Sequence, residues 1–389
     1  MKKIKILHVI TRLVQGGADE NTFFTVDGLN PERYETDLAY GVRSEVDKFL
    51  FSKDIKLLFI PSLVRHISPF RDLHTLYLLY RLLRKTRYHI IHTHTAKAGI
   101  LGRFAAKLAG VPIIIHSLHG ATFHDSISKS ASFFYKLMEK TAAKYTDKII
   151  SVGDDLKKIY INNGIGKASQ YITIRSGFDL SKFLLTADEI RNCKAKLCKE
   201  LGFDEHSIII GTASRLEARK GHIYLINAAK RIILNHPNAH FVFAGSGALE
   251  KDLKEIVASN NLSNRIHFLG FRRDINTIIA AYDIFVLTSL WEGLPRVLVQ
   301  AAALQKPIIT FDVEGASEIV ENGRNGYIIK KKDIDSLSQK LDELISNPSR
   351  CQVMGRESLS KVNAEWEKQV MVDKIAALYS ELVCKRFES

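Results

Sequence analysis

Glu292 is the side chain whose position most clearly suggests chemistry, because it lies in a short loop between a strand and a helix. The apolar run Ile284–Leu287 has no helical period, which is typical of a strand buried on both faces of a parallel sheet. The loop Trp291–Pro295 follows, and Arg296–Leu304 predicts a helix. Ser, Thr or Asp caps a helix better than Glu does, so capping does not explain a Glu at this position. We therefore predict that its carboxylate binds paired hydroxyl groups. A solvated loop acid is the alternative.

A second loop supplies cations. The predicted strand Ile208–Ala213 is followed by Arg215, Arg219 and Lys220, ahead of a helix from about His222. Arginine presents a planar fork of donors and lysine a point charge, so Arg215 and Lys220 suit the clamping of a diphosphate. Arg219 is an extra charge without an assigned role. Both loops follow parallel strands, and the carboxyl edge of such sheets is where α/β folds bind ligands.

Histidines end two strands of the first half. The strand His89–His94 finishes with His92 and His94 on one face, where two imidazoles could hold a metal, although the sequence offers no third ligand. The next strand, Ile113–Leu118, ends at His119. The carboxyl edge of the sheet suggests substrate contact rather than a metal for His94, whereas a His beside a glycine at a strand end, such as His119, is more often structural.

Glycines mark the places where backbone could approach a ligand. Gly16 and Gly17 follow the opening strand Ile4–Ile10 and precede a helix from near Ala18, and Gly245 follows a later strand. Glycine allows close approach and lets backbone N–H groups point at phosphate. The dinucleotide fingerprint G-x-G-x-x-G is not met, and a plain tight turn is the alternative for Gly16 and Gly17.

The elements that must position these residues alternate between strand and helix in both halves. This alternation predicts an α/β protein with two doubly wound parallel sheets. One helix begins at Ser68 and Pro69, and packing against the sheet is favoured for it over lying on a membrane. Its apolar residues at three- and four-residue steps are Leu73, Leu76, Tyr77, Tyr80 and Leu83. A later helix, within 121–144, is built around Phe133, Phe134, Leu137 and Met138.

Four of these features occur in an order that resembles the retaining glycosyltransferases of family 4, which have the two-domain GT-B fold. The features are Gly16-Gly17, His119-Gly120, Arg215 with Lys220, and Glu292. The signature of the family is a Glu, seven residues and a second Glu. Here Glu292 fits the first position, but the second position holds Gln300.

The resemblance implies a role for each residue. Glu292 contacts hydroxyls of the donor sugar, and His119 faces the same sugar. Arg215 and Lys220 stabilise the leaving diphosphate. Gln300 stands where the family holds the ribose hydroxyls, and its amide can accept from one hydroxyl and donate to another, but it carries no charge. The implied donor-binding residues are Gly16, Gly17, Gly245, Gly293, Leu294 and Gln300.

Domain limits and the absence of a metal also follow from the resemblance. Residues 1–183 are expected to form an N-terminal acceptor-side domain and 184–369 a nucleotide-sugar-binding domain, both Rossmann-like and facing a cleft. The segment 370–389 is expected to pack back on the first domain. The only obvious Asp-x-Asp, Asp333-Ile334-Asp335, begins a predicted helix and is interpreted as a cap. No metal or cofactor is therefore predicted.

The charge is concentrated in the first half. The chain of 389 residues has a net charge of +14, a hydrophobic content of 46% and a charged content of 25%. Residues 1–175 carry 27 Lys and Arg against 15 Asp and Glu, whereas 176–389 carry 29 against 27, which gives +12 and +2. With no nucleic-acid motif, we predict contact with an anionic membrane or a lipid diphosphate rather than nucleic acid; diffuse surface charge is the alternative.

The sequence contains no apolar run long enough to span a membrane, so a cytoplasmic location is predicted, with peripheral attachment at the inner face of the cell membrane as the alternative. The predicted activity is transfer of a hexosyl group from a nucleotide diphosphate sugar, a UDP-sugar in the first instance, with retention. The acceptor is predicted as a saccharide or a polyprenyl-diphosphate-linked saccharide, in bacterial surface polysaccharide or glycolipid assembly. The alternatives are a GT-B sugar-nucleotide epimerase and, because of Gln300, a non-catalytic sugar-nucleotide-binding partner.

Overall fold

The computed structural model describes residues 3–13, 17–42, 52, 55–123 and 127–387. The chain divides into two compact units: unit 1 contains Met1–Phe178 and Ala364–Ser389, and unit 2 contains Asp179–Asn363. These limits differ by several residues from the boundaries at 183 and 370 that the sequence suggests. Each unit is an α/β structure built on one parallel sheet.

The described strands fall into one sheet in each unit. Unit 1 contains β1 (Ile4–Arg12), β2 (Tyr34–Val42), β3 (Lys56–Phe59), β4 (Ile90–His94), β5 (Ile113–Leu118), β6 (Lys148–Ser151) and β7 (Tyr171–Thr173). Unit 2 contains β8 (Ile208–Ala213), β9 (Ala239–Ala244), β10 (Ile266–Gly270), β11 (Ile284–Leu287), β12 (Ile308–Phe311) and β13 (Gly326–Ile329).

Helices follow most of these strands, as a doubly wound fold requires. They are α1 (Gly17–Gly28), α2 (Pro69–Thr86), α3 (Ala96–Ala109), α4 (Lys129–Ala143), α5 (Asp154–Asn162), α6 (Ala187–Leu201), α7 (His222–Asn235), α8 (Glu250–Ser259), α9 (Ile275–Ala280), α10 (Arg296–Ala303), α11 (Ile334–Ile345), α12 (Pro348–Ser360) and α13 (Lys368–Phe387). The predicted α/β class with two doubly wound parallel sheets is thereby confirmed.

The strand order of unit 1 is β3-β2-β1-β4-β5-β6-β7, with each neighbouring pair parallel. The direction of winding reverses between β1 and β4, which makes the carboxyl ends of these two strands a topological switch point. Ligands of open α/β sheets bind at such points. The register pairs His8 of β1 with His92 of β4.

The sheet of unit 1 is covered on both faces. Ile6, Ile90 and Ile115 pack on one face with Tyr379 and other residues of α13. On the opposite face, Leu7 lies in a core with residues of α2 and α3. Alternate residues of a strand point to opposite faces, so every second residue of β1 and β4 faces α13. The two histidines that the register pairs are among them.

Unit 2 has the strand order β10-β9-β8-β11-β12-β13, again with parallel neighbours. Its winding reverses between β8 and β11. The two loops that the sequence marks for ligand chemistry leave these two strands, so both lie at the switch point of unit 2.

Two helices of unit 1 expose residues that the helical periodicity places in apolar stripes. On α2 the buried residues are Thr75, Leu79 and Leu83, while Leu73 is 67% and Tyr77 is 53% exposed. The predicted packing of α2 is confirmed, because Leu79 and Leu83 lie in the core beside the sheet, but Leu73 and Tyr77 of the expected stripe stay exposed. The buried stripe runs instead through Thr75, Leu79 and Leu83, and the hydroxyl of Thr75 donates to Ser62 at 2.8 Å. The α4 residues Phe133, Phe134 and Leu137 are exposed as well.

Within the described ranges, every helix falls short of the length and apolar character that crossing a membrane requires.

Candidate functional site

The loops after β8 and β11 are joined by hydrogen bonds at the switch point of unit 2. The backbone N–H of Leu290 donates to the carbonyl of Arg219 at 2.7 Å. The hydroxyl of Thr288 donates to the carbonyls of Lys220 and Gly221 at 3.2 and 3.0 Å. This close approach fixes the positions of the charged side chains that follow.

Gly221 is required for that approach. Its φ is +62°, a left-handed conformation that favours glycine. A Cβ at this position would lie 2.2 Å from the carbonyl oxygen of Thr288, far inside van der Waals contact. The glycine of the Arg-Lys-Gly sequence therefore lets the two loops touch.

The structure brings the predicted cation and carboxylate together as an ion pair. Nζ of Lys220 donates to Oε1 of Glu292 at 2.5 Å. Glu292 is buried, and the side chain of Lys220 is 11% exposed. Nη1 of Arg219 lies 3.7 Å from the other carboxylate oxygen of Glu292. Glu292 thus faces two cations. One of them is Arg219, to which the sequence assigns no role.

Glu217 extends this arrangement and is the residue that sequence reasoning missed. Its carboxylate lies 3.1 Å from Nη1 of Arg215 and 3.3 Å from Nε of Arg219. Arg215, Glu217, Arg219, Lys220 and Glu292 form one charged group, called the charged cluster below. The signal for Glu217 was its position between the two arginines, where a carboxylate can orient both side chains.

The pKa values of the central pair follow from burial and from each other. Burial alone would raise the pKa of Glu292, but the charges of Lys220 and Arg219 outweigh it and hold the pKa below its usual value. Burial also lowers the pKa of Lys220, against the opposing charge of Glu292. The carboxylate is therefore ionised at neutral pH and is available as a hydrogen-bond acceptor.

The remaining predicted residues near β11 lie on the loop and on the helix that follows. The backbone N–H of Glu292 donates to Glu314 at 3.1 Å, while Gly293 and Leu294 are buried beside it. Gln300 lies on α10 and is half-buried. Glu318 is half-buried in the turn after β12.

Gly245 lies beside the charged cluster, where its missing side chain leaves room for neighbouring backbone. Its φ is +140°, and a Cβ would meet the carbonyl oxygen of Ser214 at 2.0 Å. Its N–H donates to the carbonyl of Gly270 at 2.8 Å. The sequence predicts that backbone approaches a ligand closely at Gly245. In the structure, Gly245 allows the backbone of Ser214, next to Arg215, to approach it closely.

The switch point of unit 1 contains the other predicted residues. Gly17 begins α1, and Gly16 lies outside the described residues. The end of β1 and the residue after β4 are joined by the hydroxyls of Thr11 and Thr95, 2.9 Å apart. His119 follows β5 and is half-buried. Its Nε2 lies 3.2 Å from Nδ1 of His94.

His8 is the third imidazole that sequence reasoning did not find, because it comes from a distant strand. His8, His92 and His94 are buried, and their ring nitrogens lie within 4.8 Å of one another. Such a group could in principle hold a metal ion. The ring nitrogens of these residues are engaged by hydrogen bonds to His119, Tyr379, Ser117 and one another, so hydrogen bonding accounts for the group.

The Asp-x-Asp sequence acts as a helix cap, as predicted. Oδ1 of Asp333 accepts from the backbone N–H of Ser336 at 2.9 Å at the start of α11. Asp335 pairs with Arg231. These contacts explain both carboxylates without a ligand.

Comparison with known proteins identifies the two halves of the chain separately. Residues 194–360 match the family model described as glycosyl transferases group 1, and residues 17–153 match the model described as glycosyl transferase 4-like. A UDP-Gal:alpha-D-GlcNAc-diphosphoundecaprenol alpha-1,3-galactosyltransferase of Escherichia coli is 34% identical over 99% of this chain and 98% of its own length. The capsular polysaccharide biosynthesis glycosyltransferase CapM of Staphylococcus aureus is 24% identical over 98% of each chain.

A Campylobacter jejuni relative, N,N'-diacetylbacillosaminyl-diphospho-undecaprenol alpha-1,3-N-acetylgalactosaminyltransferase, is 25% identical over 82% of this chain and 83% of its own. Among solved structures, HepE of Anabaena in complex with UDP and glucose has a TM-score of 0.82 at 22% identity, covering 97% of this chain and 99% of its own. Sucrose-phosphate synthase of Thermosynechococcus elongatus has a TM-score of 0.82 at 18% identity, over 98% and 100%. These structures share the fold.

Proposed function

Because this chain belongs to the retaining glycosyltransferases of family 4, which have the GT-B fold, we propose that it transfers a hexosyl group from a UDP-sugar to a lipid-linked saccharide with retention. The observation that carries the proposal is the charged cluster at the switch point of unit 2. It pairs Lys220 with the buried Glu292, and Arg219 lies 3.7 Å from the same carboxylate. This arrangement suits a ligand with a diphosphate next to a polyhydroxylated ring.

The names of two relatives support a narrower acceptor class. Both the Escherichia coli and the Campylobacter jejuni enzymes are named for acceptors on diphosphoundecaprenol and for alpha-1,3 linkages. We therefore propose a sugar on a polyprenyl diphosphate as the acceptor of this chain. The name of the Escherichia coli relative, 34% identical, includes UDP-Gal, which makes UDP-galactose the first donor to test.

The charged cluster would stabilise the leaving group. As the bond between the sugar and the diphosphate breaks, negative charge grows on the diphosphate, and fixed cations stabilise that charge more than they stabilise the bound substrate. Arg215 and Lys220 are proposed for this role. The diphosphate would replace Glu292 as the partner of Lys220, which leaves the carboxylate to accept hydrogen bonds from sugar hydroxyls.

Unit 1 is proposed to supply His119. In the family this imidazole contacts the donor sugar, and the half-buried ring of His119 is held by His94 at 3.2 Å. Gly17 at the start of α1 is proposed to offer its backbone N–H to the donor, since the first turn of a helix attracts anions. Because the proposed counter-charges are side-chain cations, we propose that no divalent metal is needed.

We also propose that unit 1 contacts an anionic membrane, where a polyprenyl-linked acceptor would reside. Its exposed apolar side chains on α2 and α4 are Phe70, Leu73, Tyr77, Phe133, Phe134 and Leu137, called the apolar surface below. Both helices contact α3. Exposed Arg71 and Lys129 begin these helices, so anionic headgroups would complement the apolar contacts.

Binding to lipid vesicles tests the membrane proposal. Each Phe buried in the interface contributes about 1.5–3 kcal/mol, so a Phe70→Asp, Phe133→Asp double variant is expected to bind vesicles containing phosphatidylglycerol at least tenfold more weakly. Leu234→Asp is the matched control, because Leu234 is 83% exposed but lies in unit 2. Equal binding of neutral and anionic vesicles, or equal loss in the control, would contradict the proposal.

Donor binding tests the main proposal. We expect calorimetry without added metal to show micromolar binding of one UDP-sugar and weaker binding of the GDP- and ADP-sugars, and we expect binding to be unchanged by EDTA. No binding to any nucleotide sugar by the folded protein would overturn the donor assignment.

A further inference from the structure

Six polar side chains of unit 1 form one continuous network of hydrogen bonds that begins at the proposed sugar-contacting histidine. In order, they are His119, His94, His8, Tyr379, His92 and Ser117. We call this set the histidine network. Except for His119, its members are buried, and Tyr379 comes from α13, far along the sequence from the strands.

The sheet register explains why these residues meet. His8 pairs with His92 across β1 and β4, and His94 pairs with Ser117 across β4 and β5. All four side chains therefore share the face that α13 covers. Earlier positions on this face are isoleucines, so polar residues occur only as the strands approach their carboxyl ends. Tyr379 bonds to both His8 and His92 from the covering helix.

Burial keeps the imidazoles of His8, His92 and His94 neutral. It lowers the pKa of His8 to about 3 and lowers the pKa of His92 and His94 well below 6.5, with smaller contributions from neighbouring rings. A neutral imidazole has one N–H donor and one acceptor nitrogen. Once the direction of one hydrogen bond is fixed, the direction of every other bond in the network follows.

Tyr379 fixes that direction, because its hydroxyl has a single proton and two imidazole partners. Its oxygen lies 2.5 Å from Nδ1 of His92 and 3.4 Å from Nε2 of His8. With oxygen acceptors, hydroxyl donors make bonds of about 2.5–3.0 Å, shorter than the bonds of about 2.7–3.2 Å that N–H donors make. The short contact is therefore assigned as O–H donation from Tyr379 to His92. Because this uses the single hydroxyl proton, the longer contact with His8 must be N–H donation from His8 to Tyr379.

The remaining bonds then have one assignment. His8 carries its proton on Nε2, so its Nδ1 accepts from Nε2 of His94 at 3.0 Å. His94 then accepts on Nδ1 from Nε2 of His119 at 3.2 Å. The other branch agrees, since His92 donates from Nε2 to the hydroxyl of Ser117 at 2.7 Å.

We propose that Tyr379, His8 and His94 are positioning residues that hold His119 as its Nε2–H tautomer, so that Nδ1 of His119 acts as the acceptor for a hydroxyl of the donor sugar. The sugar contact rests on the function proposed above, whereas the tautomer does not. Without Tyr379, the two opposite directions of the network become nearly equivalent, and His119 would sample both tautomers.

Long-range ¹H–¹⁵N NMR of histidine-labelled protein tests the tautomer without substrate. The expected pattern for His119 is that of an Nε2-protonated ring at neutral pH. An Nδ1-protonated ring would overturn the assignment. Stoichiometric Zn²⁺ should leave the signals of His8, His92 and His94 unchanged, and their joint displacement by the ion would replace the network with a metal site.

The Tyr379→Phe variant tests the role of the hydroxyl. We expect His119 to show averaged tautomer signals and kcat/KM to fall roughly fivefold, the effect of one weakened hydrogen bond. Tyr34→Phe is the matched control, because its hydroxyl also contacts α13, at Ala376 (3.2 Å) and Ser380 (3.1 Å). An unchanged His119 tautomer in Tyr379→Phe, or the same change in the control, would overturn the proposal.

His119→Gln separates the sugar contact of His119 from the tautomer that the histidine network sets. If the wild-type tautomer is as expected but His119→Gln transfers sugar at the wild-type rate, the sugar contact fails and the positioning role for catalysis falls with it. If His119→Gln is inactive but the wild-type ring is Nδ1-protonated, the function stands and the network assignment alone is overturned.

Discussion

Lys220 and Glu292 neutralise each other within the protein, and this pairing makes the role of each separable by experiment. A buried ion pair that loses one partner leaves an uncompensated charge. If a diphosphate replaces Glu292 as the partner of Lys220, removal of the carboxylate charge frees the cation for UDP. The same change removes the acceptor proposed for the sugar hydroxyls.

Glu292→Gln should therefore separate binding from catalysis. We expect UDP to bind as tightly as to the wild type or more tightly, while kcat/KM for sugar transfer falls about 100-fold, the effect of losing a charge-assisted hydrogen bond. Calorimetry with UDP and a transfer assay measure the two effects. Glu255→Gln is the control, because its side chain is 67% exposed on α8. Loss of UDP affinity in Glu292→Gln would contradict the exchange of partners.

Gln300→Glu tests the second position of the family signature. A carboxylate accepts hydrogen bonds from two ribose hydroxyls more strongly than an amide does, so we expect UDP to bind about fivefold more tightly. Deoxyuridine diphosphate should show a smaller gain, because one hydroxyl is missing. Equal gains for the two nucleotides would place residue 300 away from the ribose.

Residue types and spacing were enough to propose Glu292, Arg215 and Lys220 as one site, because all three follow strands of one parallel sheet. Sequence could not pair Lys220 with Glu292, since that contact depends on the distance between two loops far apart in the chain. The same limit hid His8, which joins His94 only through the strand register.

At the scale of elements, the joined loops after β8 and β11 set the geometry of the charged cluster. Gly221 permits this contact, and Gly202 offers a comparison with nearly the same backbone, at φ +69° against +62°. Within the described part of the chain, no atom lies within 4 Å of a Cβ built at Gly202. The two glycines therefore differ in their surroundings rather than in their backbone strain.

Gly221→Ala should destabilise unit 2 more than Gly202→Ala does. We expect about 1–2 kcal/mol for Gly202→Ala from the left-handed backbone alone, and at least ~2 kcal/mol more for Gly221→Ala from the clash with Thr288. Chemical denaturation measures both, and UDP affinity should fall only in Gly221→Ala. Equal free-energy losses in the two variants would show that the contact with Thr288 does not matter.

The alternation of strands and helices was enough to predict both sheets, since apolar runs of four to six residues between helical patterns leave few other folds. The exposure of α2 and α4 could not be predicted. Periodicity identifies an apolar stripe on a helix, but the neighbouring elements decide how much of the stripe is covered. On α2 the covered part is centred on Leu79, so Leu73 and Tyr77 remain outside.

At the scale of the whole molecule, buried neutral imidazoles make stability depend on pH. Burial lowers the pKa of His8 to about 3 and of His222 to about 4, and it holds the pKa of His92, His94 and His116 well below 6.5. In the unfolded chain the pKa returns to near 6.5, so the unfolded state binds protons first as pH falls. The free energy of unfolding is thus greatest above pH 6.5 and declines toward the folded-state values.

Thermal unfolding at about pH 7.5 and pH 5.5 tests this dependence. Each buried neutral histidine is expected to reduce stability by about 1.4 kcal/mol one pH unit below 6.5, so Tm should drop by several degrees. Acetate and phosphate at matched ionic strength control for buffer effects. A Tm that is constant between these pH values would mean that the buried rings accept protons in the folded state.

The charge distribution and the apolar surface are also properties of the whole molecule. The excess of positive charge in residues 1–175 was visible in the sequence, and the apolar surface lies in the same unit. Composition could not show that apolar and basic residues are exposed together, because this depends on which helix faces remain uncovered.

The central claim is the transfer of a hexosyl group from a UDP-sugar to a polyprenyl-linked saccharide. The most direct measurement follows radiolabel from UDP-galactose and UDP-glucose into the lipid extract, with diphosphoundecaprenyl-GlcNAc as acceptor, for wild type and Glu292→Gln in EDTA. We predict lipid-soluble label carrying an alpha-linked hexose with the wild type and about 1% of that rate with the variant. Donor that binds but is only epimerised, or that remains unchanged with every acceptor, would contradict the account.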